Sequence, residues 1–378
     1  MESSRATWSS SSVETGASQA TGRVLSIDAF RGFTMIFMLG EGFGLGYFSK
    51  DGGVLGALAA QFQHVDWNIS IPHDLHFWDL IQPFFMFIVG LVMPLSFARR
   101  WAAGETWGQS LRHVLKRSAL LILFGLIARS IQHNKPFLDL INVLAQIAFT
   151  YLVAFLVLRA SWTVQGGVAL GLLAIHWAIY QFGSGPGVAG PWVRDANMGW
   201  YLDKLVLHQN WDGSYATINC LSSAANTIFG VMAGKLLVSA MPLAKKVRVL
   251  AIAGVLGVAA GFALSPAIPL NKKIWTASFT LYSAGMTFLA LLLFYWIFDV
   301  KHKRKWAVPL VIVGANSIFI YLFHEILHRW LGQTATIFLQ WSIDLWGPGG
   351  KAIRTLALIA FELYVCVWLY RRRIFFKL

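Results

Sequence analysis

The sequence predicts an all-α protein that crosses a bilayer about ten times, with both termini on the cytoplasmic side. Three observations predict it. Of 378 residues, 57% are hydrophobic and 13% charged, about half the charged share of an ordinary soluble domain, so the chain cannot clothe a water-facing surface. Its mean hydropathy is +0.59, and its 17 Trp are a residue type that gathers at membrane interfaces. Apolar runs of spanning length recur along the chain. With no water to satisfy backbone groups, such runs must be helices or barrel strands, and their unbroken length selects helices.

Residues 1–22 are rich in Ser, Thr and Ala, with few large apolar groups, and read as a disordered cytoplasmic tail without a cleavable signal pattern. Residues 23–378 read as one transmembrane domain. Apolar segments run from Ile27 to Tyr47, Phe77 to Ala98, Val114 to Gln132, Ile141 to Leu158, Gly167 to Phe182, Ile218 to Ala240, Leu250 to Ile268, Ile274 to Phe298, Pro309 to Leu331 and Ala352 to Tyr370. Two outer loops, Phe48 to His76 and Gly183 to Thr217, are long enough to suggest function.

The net charge of +14 raises the question of nucleic acid. The basic residues, however, fall in short clusters at the ends of apolar runs and form no stripe, so no nucleic-acid partner is expected. With the N-terminus inside, Arg99, Arg100, Arg112, Lys116, Arg117, Arg159, Lys235, Lys245, Lys246, Arg248, Lys301, Lys303, Arg304, Lys305 and the Arg371–Arg373 run all fall on the inner side. That bias is what the positive-inside rule requires of a ten-span order. Cys220 and Cys366 lie in apolar surroundings and offer neither a disulfide framework nor a CxxC metal site.

The first outer loop ends in Phe62-Gln-His-Val-Asp-Trp-Asn68, and His73, Asp74 and His76 lead to Trp78-Asp79 at an aromatic helix start. A histidine titrates near neutrality, so it can take a proton from an attacking amine or hydroxyl and hand it to a thiolate leaving group. His64, with Asp66 and Asn68 close by, is the candidate for catalysis; a solvated loop histidine is the plainer reading of the spacing. His64, His73 and His76 match no defensible metal-ligand pattern, and no metal is expected.

Asp28 and Arg31 stand one turn apart at the inner end of the first span and can pair or meet a ligand. Glu41, among Gly40, Gly42, Gly44 and Gly46, is an acid at membrane depth, which normally faces a cavity or partner. Asn219, Asn226 and Asn316 can bond neighbouring helices. His324 and Glu325 are adjacent, so at least one should face the protein interior. Lys272 and Lys273 sit in a short outer turn where lysine is disfavoured, which invites an anion-binding reading.

Taken in order, Ser26-Ile-Asp-Ala-Phe-Arg-Gly32, Gln63-His-Val-Asp-Trp-Asn68, Trp78-Asp-Leu-Ile-Gln-Pro-Phe-Phe-Met-Phe-Ile-Val-Gly90, Trp211-Asp-Gly-Ser214, Phe229-Gly-Val-Met-Ala-Gly234, Pro269-Leu-Asn-Lys-Lys-Ile-Trp-Thr276, Leu281-Tyr-Ser-Ala-Gly285 and Gly314-Ala-Asn-Ser-Ile-Phe-Ile-Tyr321 make the chain resemble the heparan-α-glucosaminide N-acetyltransferase family, bacterial relatives included. The resemblance covers nearly everything after Gly22. It implies an acyltransferase that takes acetyl from cytoplasmic acetyl-CoA and delivers it to an amino sugar or sugar hydroxyl on the far side. The family's essential histidine matches His64. Asn68, Asn271 and Asn316 are candidates to stabilise an oxyanion, and Asp28, Arg31, Glu41, Lys272, Lys273 and Asn316 are candidates to hold the acetyl-CoA. Direct transfer and an acetyl-histidine intermediate both stay open. The expected setting is a bacterial inner membrane, with lipid and the acceptor sugar as partners and a homodimer as one open arrangement. A rival reading is a transporter whose Glu41, Glu325 and His324 carry protons or substrate while no bond is made.

Overall fold

The computed structural model describes residues 24–65, 67, 75–138, 140–207 and 215–376. The polar tail expected over 1–22 lies outside them. Every described element is helical. In chain order the helices are α1 (Leu25–Leu39), α2 (Gly53–Ala60), α3 (Ile81–Ala102), α4 (Trp107–His133), α5 (Val143–Leu156), α6 (Trp162–Phe182), α7 (Met198–Leu207), α8 (Asn219–Val238), α9 (Leu243–Leu264), α10 (Ala277–Tyr295), α11 (Arg304–Ala315), α12 (Ser317–Trp346) and α13 (Pro348–Arg371). Short 3-10 segments cover Glu41–Phe48 and Phe77–Leu80.

All ten apolar segments read from the sequence coincide with helix. Among the described residues, six helical stretches are long and apolar enough to cross a membrane: Phe77–Ala102, Trp162–Phe182, Asn219–Val238, Leu243–Leu264, Ala277–Val300 and Pro348–Arg371. A seventh crossing results if α11 and α12, bent by 61° at Asn316, form one span. The remaining three segments fall short for physical reasons. Helix α1 has 15 residues and α5 has 14, short of the roughly 20 that a bilayer core requires, and α4 is interrupted by Arg112, Lys116, Arg117 and Arg129.

Two spans expected to be continuous are broken. The first, read from Ile27 to Tyr47, stops at Leu39 because Gly42, Phe43 and Gly44 take left-handed φ of 69°, 56° and 72°. Glycine adopts that conformation without the Cβ penalty other residues incur. The same two glycines permit close contact: a Cβ on Gly42 would lie 2.5 Å from the Phe62 Cβ, and one on Gly44 would lie 2.7 Å from the Ala352 Cα. The ninth, read from Pro309 to Leu331, breaks at Asn316. Its amide donates to the Ile374 carbonyl at 2.9 Å and accepts from the Phe376 N–H at 3.0 Å, so the chain end is clasped into the break.

Helices α3 and α8 form a close seam. A Cβ on Gly90 would run into the Thr227 carbonyl, and one on Gly230 into the Phe87 carbonyl. Small residues at such a seam let backbones approach, which is how helices gain dispersion energy when lipid is as apolar as the side chains. Buried amides tie the bundle as expected: Asn226 donates to Ser283 at 3.3 Å, and Gln146 donates to Ser223 at 2.9 Å. A core of Phe30, Phe84, Phe87, Leu91, Leu291 and Phe294 joins α1, α3 and α10.

Two long-range contacts order the ends of the bundle. The Asp299 carboxylate caps the start of α1, accepting from the Leu25 and Ser26 N–H groups at 3.2 and 3.0 Å. At the other end of α1, the loop carrying Phe62 packs on Gly42. The start of α1 and the end of α10 therefore share one face of the protein, and the first loop lies at the opposite one.

Candidate active site

The site is built where the loop after α2 meets the start of α3 and the turn between α9 and α10. The loop is pinned by its glutamines. Gln61 accepts from the Phe77 N–H through its side chain at 3.1 Å and from the Trp78 N–H through its carbonyl at 2.9 Å. Gln63 donates to the Gly46 carbonyl at 2.7 Å, and His76 Nδ1 meets the Gln63 carbonyl at 3.0 Å. These bonds fix the residue that follows, His64.

His64 Nδ1 lies 2.8 Å from Asp79 Oδ1. A carboxylate can only accept, so Nδ1 carries the proton and Nε2 is left with its lone pair. Asp79 in turn accepts on Oδ2 from the His76 N–H at 3.3 Å, as part of the capping box that starts the helix. The third member is Lys272, whose Nζ lies 3.3 Å from His64 Nδ1 and 3.8 Å from Asp79 Oδ1. The side chains of Asp79 and Lys272 are 3% and 8% exposed, whereas that of His64 is 49% exposed. A half-open imidazole thus rests on a buried ion pair.

The turn that delivers Lys272 is rigid. Asn271 Oδ1 accepts from the N–H groups of Lys273 and Ile274 at 2.8 and 3.2 Å, and Thr276 Oγ1 donates to the Pro269 carbonyl at 2.7 Å. Asn219 Nδ2 donates to the Lys273 carbonyl at 2.7 Å, tying the turn to the start of α8. Trp275, with φ of 49°, is fully buried beneath it.

Electrostatics follow from this arrangement. Partial desolvation lowers the His64 pKa below the usual imidazole value; the Asp79 hydrogen bond opposes that, and the charges of Lys272 and Lys273 add to it. Burial pushes the Lys272 ammonium down to about 8 against the pull of Asp79. Burial also pushes the Tyr215 hydroxyl up, with the Asp79 charge adding to it. The arrangement suits a neutral base at neutral pH: a fixed tautomer, an outward lone pair and a nearby cation.

Of the residues anticipated from the sequence, His64, Lys272 and, next to it, Lys273 are brought together. Asp66 and Asn68 lie outside the described residues, as does the Glu41 side chain. Asp28 and Arg31 pair at 3.3 Å near the start of α1, roughly 15 Å along that helix from its other end. Asn316 spends both ends of its amide on backbone and Asn271 its amide oxygen, as described above. Asp79, which the sequence shows as part of a helix start, is the acid that His64 meets. Its signal was an acid buried at the mouth of a span, which is costly unless paired. The apolar groove of 430 Å³ between Phe124, Phe319, Phe323 and Phe376 shares no residue with this cluster.

Bundle and site together define a polytopic α-helical integral membrane protein with a histidine–aspartate–lysine cluster at one end. No protein-family model matches the chain. It is similar to heparan-α-glucosaminide N-acetyltransferase of Mus musculus, 24% identical over 97% of this chain and 62% of that protein. It is also similar to heparan-α-glucosaminide N-acetyltransferase of Homo sapiens, 25% identical over 94% of this chain and 60% of that protein. The chain is a distant relative of the heparan-α-glucosaminide N-acetyltransferases, and it spans about 60% of the length of these curated relatives.

Proposed function

We propose that this chain is a transmembrane acetyltransferase that moves an acetyl group from cytoplasmic acetyl-CoA to an amino sugar or sugar hydroxyl on the far side of a bacterial inner membrane. The observation that carries the proposal is the His64–Asp79 contact, with Lys272 against it. The relatives' activity supports the same reading. It takes ten crossings with both ends cytoplasmic, counting α1, α4 and α5 among the spans and the bent α11–α12 pair as one.

The acceptor nitrogen or oxygen attacks the thioester carbonyl carbon, and the carbonyl electron pair moves onto oxygen. His64 Nε2 takes the acceptor's proton. Collapse of the tetrahedral intermediate breaks the C–S bond, and the proton passes from Nε2 to the departing thiolate, leaving acetylated acceptor and free CoA thiol. Asp79 holds the tautomer and steadies the imidazolium while it exists. The Lys272 ammonium lies beside the imidazole, where it favours charge developing on the carbonyl oxygen. In the two-step alternative, Nε2 itself carries the acetyl group before the acceptor arrives. Arg31, at the opposite end of α1, suits the phosphates of a donor entering from the cytoplasm.

Inside-out vesicles supplied with acetyl-labelled acetyl-CoA and luminal glucosamine test the proposal. Labelled glucosamine in the lumen, absent with His64→Ala at equal insertion, is the expected result. Uphill sugar uptake without label would instead support a transporter built on Glu41, Glu325 and His324.

A further inference from the structure

A second cluster, sharing no residue with the first, lies between α12 and α13. His324 and His328 are four residues apart on α12, so their imidazoles fall on one face. The ring centroids are 4.5 Å apart with 44° between the planes. Glu362 comes from α13, and its Oε1 lies 2.9 Å from His324 Nδ1. One ligand atom from each of the three residues lies within 4.8 Å of the others. The His324 and Glu362 side chains are 12% and 2% exposed.

Glu362 stands nine residues before Arg371 in a 24-residue helix long and apolar enough to cross a membrane, about 14 Å from that basic end at 1.5 Å per residue. A carboxylate at such depth must be neutralised. A single protonated histidine would do that. The second imidazole, His328, is tilted against the first, and protonating both would set two cations side by side. Two neutral imidazoles and one carboxylate do suit a divalent ion, and the i, i+4 histidine pair with a carboxylate from a facing helix is a common way to present them.

We propose that His324, His328 and Glu362 bind one first-row divalent transition-metal ion, of the Zn²⁺ or Co²⁺ type, which clamps α12 to α13. Imidazole donors disfavour Mg²⁺ and Ca²⁺, which take oxygen ligands. Metal–ligand bonds of about 2.0–2.2 Å put donor atoms about 3.3 Å apart in a tetrahedral site. Side-chain rotation from the present spacing is therefore enough to close it, with a fourth position left for water or an added ligand. On ion entry His324 gives up its hydrogen bond to Glu362, and both become ligands. Glu362 lies 38 residues from His324, so spacing along the chain does not show this set, and only the helix pairing joins it.

The test is Co²⁺ titration of untagged, detergent-purified full-length protein, read by visible d–d absorption and by bound metal after dialysis. One equivalent per chain with four- or five-coordinate bands is expected. His328→Gln should weaken binding by roughly 100-fold or more, since loss of even an outer-shell partner costs 10–100-fold. Glu362→Gln should do the same, and His133→Ala should bind as the unaltered protein does. Zn²⁺ should raise the melting temperature of the unaltered protein and not that of His328→Gln, which guards against a folding defect in Glu362→Gln. Substoichiometric metal without these bands, or equal binding by the unaltered protein and His328→Gln, would overturn the proposal.

Discussion

Asp79 and His64 are 15 residues apart in the chain, and their side chains meet at 2.8 Å between Oδ1 and Nδ1. In the proposed reaction the contact orients a base, since the acid selects the tautomer in which Nε2 can accept a proton. In Asp79→Asn the amide can present its NH₂ to Nδ1, which turns the ring's lone pair inward. Acetyl transfer should then fall by ~10²-fold or more, chiefly in kcat, with KM for the donor little changed. Steady-state kinetics on reconstituted protein check this; a loss confined to KM would refute a positioning role.

The acid limb of kcat/KM should reflect deprotonation of His64. Its pKa is lowered by partial desolvation and then by Lys272 and Lys273, so the limb should lie below pH 6.5 and activity should be level at neutrality. Removing the positive charge with Lys272→Met should move the limb to higher pH, because the imidazolium would then be less disfavoured. Lys272, brought down to about 8, should give the unaltered protein an alkaline decline that the variant lacks. A pH profile with the same acid limb in both proteins would count against the cluster.

Much of this was legible in the sequence, and the gaps have physical causes. Hydropathy located the long apolar helices, because the bilayer imposes length and composition directly; the eight-residue apolar helix α2 lies in a stretch that reads as loop. Lys272 was visible as a cation on the wrong side of the charge rule. Its contact with His64 was not, since 208 residues separate them and only packing of the bundle closes that distance. Asp66 drew attention by nearness in sequence, whereas Asp79 sits on an element that faces the loop. The break after Leu39 was readable only as a run of glycines, because their φ values depend on what packs against them. Phe62 is that neighbour for Gly42.

The Gly90–Thr227 seam makes a stability prediction. A methyl group at Gly90 meets backbone, which cannot swing away as a side chain would. Gly90→Ala should therefore cost on the order of 1–3 kcal/mol, the usual range for overpacking, while Gly108→Ala, in the first turn of α4 with open space around it, should cost far less than that. Thermal unfolding in detergent checks the pair. Equal melting temperatures for Gly90→Ala and the parent would mean that α3 and α8 do not pack as described.

The sidedness of the reaction can be tested without substrate. Lys272 touches His64, so the turn before α10 and the loop before α3 lie on one side, and an even number of crossings separates them. Asp299 caps α1 at the opposite end, near the basic run Lys301 to Lys305 that should face the cytoplasm. Lys50, exposed in the first loop, and Lys303, in the basic run, make a pair of reporters. In a background with Cys220 and Cys366 replaced by alanine, Lys50→Cys should react with a membrane-impermeant maleimide in spheroplasts. Lys303→Cys should react only after permeabilisation. Labelling of both from the same side would break the link between the α1 cap and the bundle's two faces, and a donor entering opposite His64 would lose its route.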